Sequence, residues 1–243
     1  MKIRGGSPFY GQSIGILLLD GAIPRIPGDI GNAETFPFPV RYKVVRNVDI
    51  HNVREGLAPE QVEKFCAAAR QLEQEGCRAV TTSCGFLGAH QRELAAAVNI
   101  PVFTSSLMQA AWVASMLPPG KKVGVIASDK ANVTPLLLGA LGLQALPLAV
   151  EGLDGSPSFA AMHSAEPSLD PDVLRQEVLA AARRLMENAP DIGAIVLECT
   201  NLPPYSLDIQ ELTGLPVFDV VTLTHYVYHA VVQTKYHDPR QRL

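Results

Sequence analysis

"CRAVTTSCGFL" (77–87) and "IGAIVLECTNL" (192–202) decide how this chain is read. Each is an apolar run of strand length that carries a thiol, Cys84 or Cys199, where the run stops. One buried cysteine is usually a small hydrophobe. Two at matching places mark an internal repeat, and the rest of the chain supplies the other matches. "IGILLLD" (14–20) resembles "VGVIASD" (123–129), "AAARQL" (67–72) resembles "AAARRL" (180–185), and "NIPVFTSSL" (99–107) resembles "GLPVFDVVT" (214–222). The four offsets are 109, 113, 115 and 115, in the same order along the chain.

Each half therefore reads as a strand, a long loop or helix, an alanine-rich helix, a strand ending in cysteine, a helix and a short "PVF" strand. The apolar strands lack clean alternation, which suits parallel strands covered by helices on both faces. The expected fold is α/β: two similar doubly wound parallel-sheet lobes related by a pseudo-two-fold axis, with the active site between them. Ligands in open parallel sheets bind at the carboxyl ends of strands, where both thiols stand. A helix is expected after each, from "GAHQRELAAAV" and "SLDIQELTG". Backbone N–H groups near helix starts favour anions and lower a thiol pKa, so two activated thiols are expected.

The 243 residues are 47% hydrophobic and 18% charged, with net charge −4, enough apolar content for one large domain or two small ones. The mean hydropathy is +0.14 and the pI about 5.9. This is no basic footprint for nucleic acid, and no apolar run is long enough for a membrane span. "IGILLLD" is short, ends on an aspartate and reads as a buried strand rather than a signal peptide. Four cysteines without C-x-x-C spacing suggest a reduced, cytoplasmic protein. Cys66 and Cys77 have no twin and read as structural. His225 and His229 have a spacing that could hold a metal, but Ala110 and Ala114 stand at the equivalent places, so no metal is expected. No nucleotide-binding glycine motif is present, and none of the seven lysines ends an apolar strand, so no cofactor is expected either. Two opposed thiols suit removal of the proton next to a carboxylate from one face and its return on the other.

"TTSCGFLG" and "LECTNLPPY", with the "IPVF" and "LPVF" strands after them, resemble the aspartate/glutamate racemase superfamily, over a stretch from about Ile14 to the final helix. That superfamily includes amino-acid, hydantoin and allantoin racemases, maleate isomerases and arylmalonate decarboxylases. The resemblance implies an isomerase: a cofactor-independent racemase or epimerase using Cys84 and Cys199 as its acid/base pair, on an amino acid or related small carboxylate. It implies that Gly85, Phe86, Thr200 and Asn201 line the carboxylate site through backbone N–H groups and the Thr200 hydroxyl, with Thr104 and Asp20 as further lining candidates. It implies homodimers or larger homo-oligomers. It also implies a first lobe of residues 1–105 plus 216–243 and a second of 106–215. Asp20-Gly21-Ala22, Gly85-Phe86 and Asn201 depart from glutamate racemases, which makes glutamate a poor substrate expectation. A maleate-type isomerase or malonate-type decarboxylase, or a carboxylate-binding protein without turnover, are the alternatives. The unlike loops 21–53, with Arg25, Arg41 and Arg46, and 147–172 are expected to set specificity.

Overall fold

The computed structural model describes Gly6 and residues 10–236. Eight strands form two four-stranded sheets in which every recorded pairing is parallel. In the first, β1 (Ile14–Leu19), β2 (Val40–Val45), β3 (Ala79–Thr82) and β4 (Val102–Phe103) lie in the order β2-β1-β3-β4. In the second, β5 (Lys122–Ala127), β6 (Leu148–Gly152), β7 (Ile192–Leu197) and β8 (Val217–Phe218) repeat that order as β6-β5-β7-β8. The registers match too: Ile14 stands beside Ala79, and Val123 beside Ala194.

The repeated words of the sequence have a packing reason. α1 (Ile50–Glu55) and α2 (Pro59–Gln74) follow β2. Leu72 of α2 lies so close to β1 that a Cβ at Gly15 would come within 2.7 Å of its Cδ1. After α3 (Gln91–Ala96), α4 (Gln109–Met116), α5 (Pro135–Ala140) and α6 (Pro157–Met162) comes α7 (Pro171–Asn188), the counterpart of α2. A Cβ at Gly124 would sit 3.0 Å from Leu185 of α7. "IGI" and "VGV" are thus the strand side, and "AAARQL" and "AAARRL" the helix side, of one tight contact made twice. Alanines on the helix and glycine on the strand shorten the distance between the layers.

The two remaining helices are α8 (Ser206–Thr213) and α9 (Val220–Val231). β8 still pairs with β7, so the chain leaves the second sheet only after Phe218. α9 then returns to the first lobe, where Val220 and Leu223 pack with Ile14, Ile16 and Phe103. One core cluster joins Leu17 and Phe65 of the first lobe to Val123, Val125 and Ala194 of the second. That apolar continuity fixes the facing strand ends.

One expectation needs correction here. The regions read as long loops each contain a strand, β2 and β6, at the sheet edge. These edge strands are mostly half-exposed and carry charges such as Arg41, Lys43 and Glu151, which hid them among prolines and glycines. The helices expected after the thiols are present: α3 lies within "GAHQRELAAAV" and α8 spans "SLDIQELT", each reached through a 3-10 turn, Gly85–His90 after Cys84 and Pro203–Tyr205 after Cys199. Among the described residues no helix is long and apolar enough to cross a membrane.

Candidate active site

Both thiols stand two residues past the carboxyl end of the equivalent strands β3 and β7, and both line one cavity of about 180 Å³. Cys84 is 6% exposed and Cys199 8%. The lobes are stitched together at this point. Thr200 Oγ1 donates to the Ser83 carbonyl at 2.7 Å, and Ser106 Oγ donates to the Glu198 carbonyl at 3.2 Å.

The pseudo-symmetry reaches the residue before each cysteine. Ser83 N–H donates to Leu17 O at 2.9 Å, and Glu198 N–H donates to Ile126 O at 2.9 Å. The side chains follow suit. Ser83 Oγ accepts from Leu19 N–H at 3.1 Å, while Glu198 Oε2 accepts from Ser128 N–H at 3.4 Å. Where one lobe has a hydroxyl, the other has a carboxyl. Glu198 lines the cavity and is 1% exposed. Burial pushes its pKa up to about 8, against the weaker opposing pull of the Ser128 N–H and Arg54. At neutral pH it is mainly the uncharged acid.

Gly85 is fitted to this carboxyl. A Cβ there would lie 2.3 Å from the Glu198 carbonyl oxygen and 2.4 Å from Oε1. No other amino acid passes between the two lobes at this point without moving Glu198.

The expectation of activated thiols is corrected. Burial pushes the Cys84 thiol up to about 12, and the nearby Glu198 carboxyl adds to that; the N–H groups of Phe86 and Leu87 and the Arg54 guanidinium oppose it. Cys199 is held well above its ordinary range by burial, then by Glu198, with the Asn201 N–H opposing. The amides after each cysteine do face sulfur, as the repeat implies. Desolvation outweighs them. Both residues are therefore thiols at neutral pH in the unliganded protein, and Cys199 Sγ donates to Asn201 Oδ1 at 3.6 Å. Once formed, a thiolate here is a strong base.

Cys84, Gly85, Cys199, Thr200, Asn201 and Asp20 all line the cavity. Phe86 and Thr104 do not. The Phe86 ring is buried in the core, so its share in the site is its N–H. Thr104 Oγ1 donates to Gln91 Oε1 at 2.7 Å behind the sheet end. The Thr200 hydroxyl is committed to Ser83 rather than offered to a ligand. Asn201 Nδ2 donates to Asp29, whose other carboxylate oxygen accepts from Arg25 Nη1 at 2.9 Å. Asp20, at the rim, is held ionised by the Asn47 N–H, with Arg46 helping.

Of the three arginines singled out in the first long loop, Arg25 lines the cavity, Arg46 pairs with Asp20, and Arg41 pairs with Glu75 away from the site. The sequence reading missed Arg54, His51, His163 and the role of Glu198. His163 comes from the second unlike loop, as do Phe159 and Met162 beside it. Burial, then the positive charges of Arg54, His51 and Arg25, pull its pKa down to about 4. A carboxyl inside the apolar run before Cys199 was the one legible signal among these four. His225, weighed as a metal ligand, packs edge-on to Phe38 at 5.2 Å, and His229 Nδ1 meets the His225 carbonyl at 2.8 Å.

A model of "Asp/Glu/Hydantoin racemase" matches residues 44–225. A dimethylsulfoniopropionate lyase from Durusdinium sp. clade D is 29% identical over 228 residues, covering 90% of this chain and 75% of that protein. Dimethylsulfoniopropionate lyase 7 of Emiliania huxleyi is 28% identical over 220 residues, 86% of this chain and 64% of that one. Among solved structures, unliganded arylmalonate decarboxylase superposes with a TM-score of 0.62 at 17% identity, covering 94% of this chain and 96% of that one.

Proposed function

Because this chain belongs to the Asp/Glu/hydantoin racemase family, we propose that it is a carbon-acid enzyme working through the Cys84–Cys199 pair, and that its reaction is the cleavage of a β-sulfonio carboxylate of the dimethylsulfoniopropionate type. The observation that carries the first part is that two buried thiols, from equivalent strand ends, line one cavity. The second part draws on the likeness to dimethylsulfoniopropionate lyases over 90% of the chain.

The chemistry is an elimination. A thiolate of the pair takes the proton on the carbon α to the carboxylate and becomes a thiol. The electrons of that C–H bond form the α–β double bond, and the β-carbon–sulfur bond breaks with its electron pair left on sulfur. The products are an alkenoate (acrylate for a propionate) and a neutral dialkyl sulfide. The proton then passes to solvent and restores the thiolate.

Raised thiol pKa values fit this scheme. The proton α to a carboxylate is weakly acidic, and a more basic thiolate removes it more readily. A sulfonium group entering the cavity brings a positive charge towards two buried thiols and a buried carboxyl, which favours ionisation of a thiol. Substrate binding thus supplies part of the activation that the unliganded site lacks. The opposite thiol, held as S–H on the other face, donates towards the developing enediolate.

A second reading is the racemase or epimerase expected from the sequence, favoured by the symmetric placing of the thiols. One product analysis separates the two. Purified protein is incubated with dimethylsulfoniopropionate and, separately, with chiral amino acids and hydantoins. Dimethyl sulfide in the headspace with acrylate in solution supports elimination. Inversion or α-hydrogen exchange of a chiral substrate, with no sulfide, supports racemisation.

A further inference from the structure

Two arginines line the cavity, and their situations differ. Arg25 is engaged by Asp29, which in turn holds Asn201. Arg54, in the last turn of α1, has a buried Nε without a hydrogen-bond partner and forms no ion pair among the described residues. A buried guanidinium N–H left unpaired is costly, so the fold keeps it for a reason outside its own packing. Its charge is felt by Cys84, Glu198 and His163 alike, which places it among the groups that would surround a substrate. The backbone amides after the cysteines, the other donors available to a carboxylate, already face sulfur.

We propose that Arg54 anchors the substrate carboxylate, through its free Nε and the adjacent N–H of its fork, and so orients the α-carbon between the two thiols. Glu198 does not compete for it, since Glu198 is uncharged at neutral pH. His163 faces the same space as a neutral ring and adds no rival cation. A positive charge beside the carboxylate also favours the enediolate, whose second negative charge develops there. The substrate class that follows is a small monocarboxylate. The inference rests on the carbon-acid reading above, but its test does not.

The test is binding of non-reacting probes. Propionate and propionamide are titrated calorimetrically into the wild type, Arg54→Gln and Arg54→Lys, with melting temperatures recorded to establish that each variant folds. Charge-assisted hydrogen bonds of this kind correspond to about a ten- to hundredfold change in affinity. The expected result is a propionate dissociation constant raised by that factor in Arg54→Gln and by less in Arg54→Lys, with propionamide unchanged throughout. The wild type would prefer the acid to the amide, and Arg54→Gln would not. A structural role alone would shift stability without erasing that preference. Equal propionate affinity in wild type and Arg54→Gln, or no propionate binding to the wild type, overturns the proposal. If the preference depends on Arg54 while dimethylsulfoniopropionate yields no sulfide, the anchor stands and the lyase reading falls.

Discussion

Replacing Glu198 by glutamine should remove a pH dependence from the stability of this protein. The carboxyl has a pKa of about 8 in the folded chain against 4.5 as the reference for an unfolded one. Between those values the unfolded chain releases this proton and the folded chain keeps it. The group's contribution is therefore fully present below pH 4.5 and is lost as the pH rises towards 8. The slope is about 1.4 kcal/mol per pH unit, so from pH 5.5 to 7.5 the wild type should lose on the order of 2–3 kcal/mol through this one group. Glutamine keeps the shape and an oxygen for the Ser128 N–H, and it does not titrate. Urea unfolding of both proteins at half-unit steps from pH 5.5 to 7.5 measures the effect. Other titrating groups, including the raised Asp219, cancel in the difference between the two curves. The window ends before thiols of the unfolded chain ionise, near 8.5. The stability of Glu198→Gln relative to wild type should climb steadily across it. A flat difference would mean that Glu198 is already ionised at pH 5.5, and the account of its carboxyl as a desolvated, uncharged acid would be refuted.

The same geometry gives three further expectations. Gly85→Ala forces a methyl group against the Glu198 carbonyl, so it should cost about 1–3 kcal/mol in denaturant unfolding and lower turnover by displacing Glu198 in the cavity wall. Thr200→Val leaves the Ser83 carbonyl without its 2.7 Å donor across the lobe interface, a loss of about 1–3 kcal/mol that chemical denaturation would register. Iodoacetamide at pH 7.5 should label Cys84 and Cys199 more slowly than a free thiol peptide; faster labelling of either would show that desolvation does not dominate the site.

The parts of the fold that could be read in the sequence were those that two structural layers specify together. Gly15 and Gly124 recur because Leu72 and Leu185 press on them, and the helix words recur for the same contact. The thiols recur because each strand delivers its end to the same interface. β2 and β6 were missed because an edge strand buries little and its charges resemble loop composition. Within the site, the cysteines and their neighbours were legible as a duplicated word. Arg54 was not: "IHNVRE" is a short polar helix, and nothing local says that its one arginine lines the same cavity as a thiol 30 residues later. The thiol pKa was misjudged for a related reason. Amide donors are local and can be counted from sequence, whereas desolvation by the opposite lobe, and the Glu198 carboxyl that breaks the symmetry, belong to the assembled fold.

The central claim, that the thiol pair handles the proton α to a carboxylate, is tested most directly by following acrylate formation from dimethylsulfoniopropionate by proton NMR. Wild type, Cys84→Ser and Cys199→Ser are compared at equal concentration, with circular dichroism establishing that all three fold. The account predicts acrylate from the wild type and a fall of at least about a hundredfold in the variant that lacks the base, with a smaller loss in the other. Acrylate formed at the wild-type rate by both variants would contradict it.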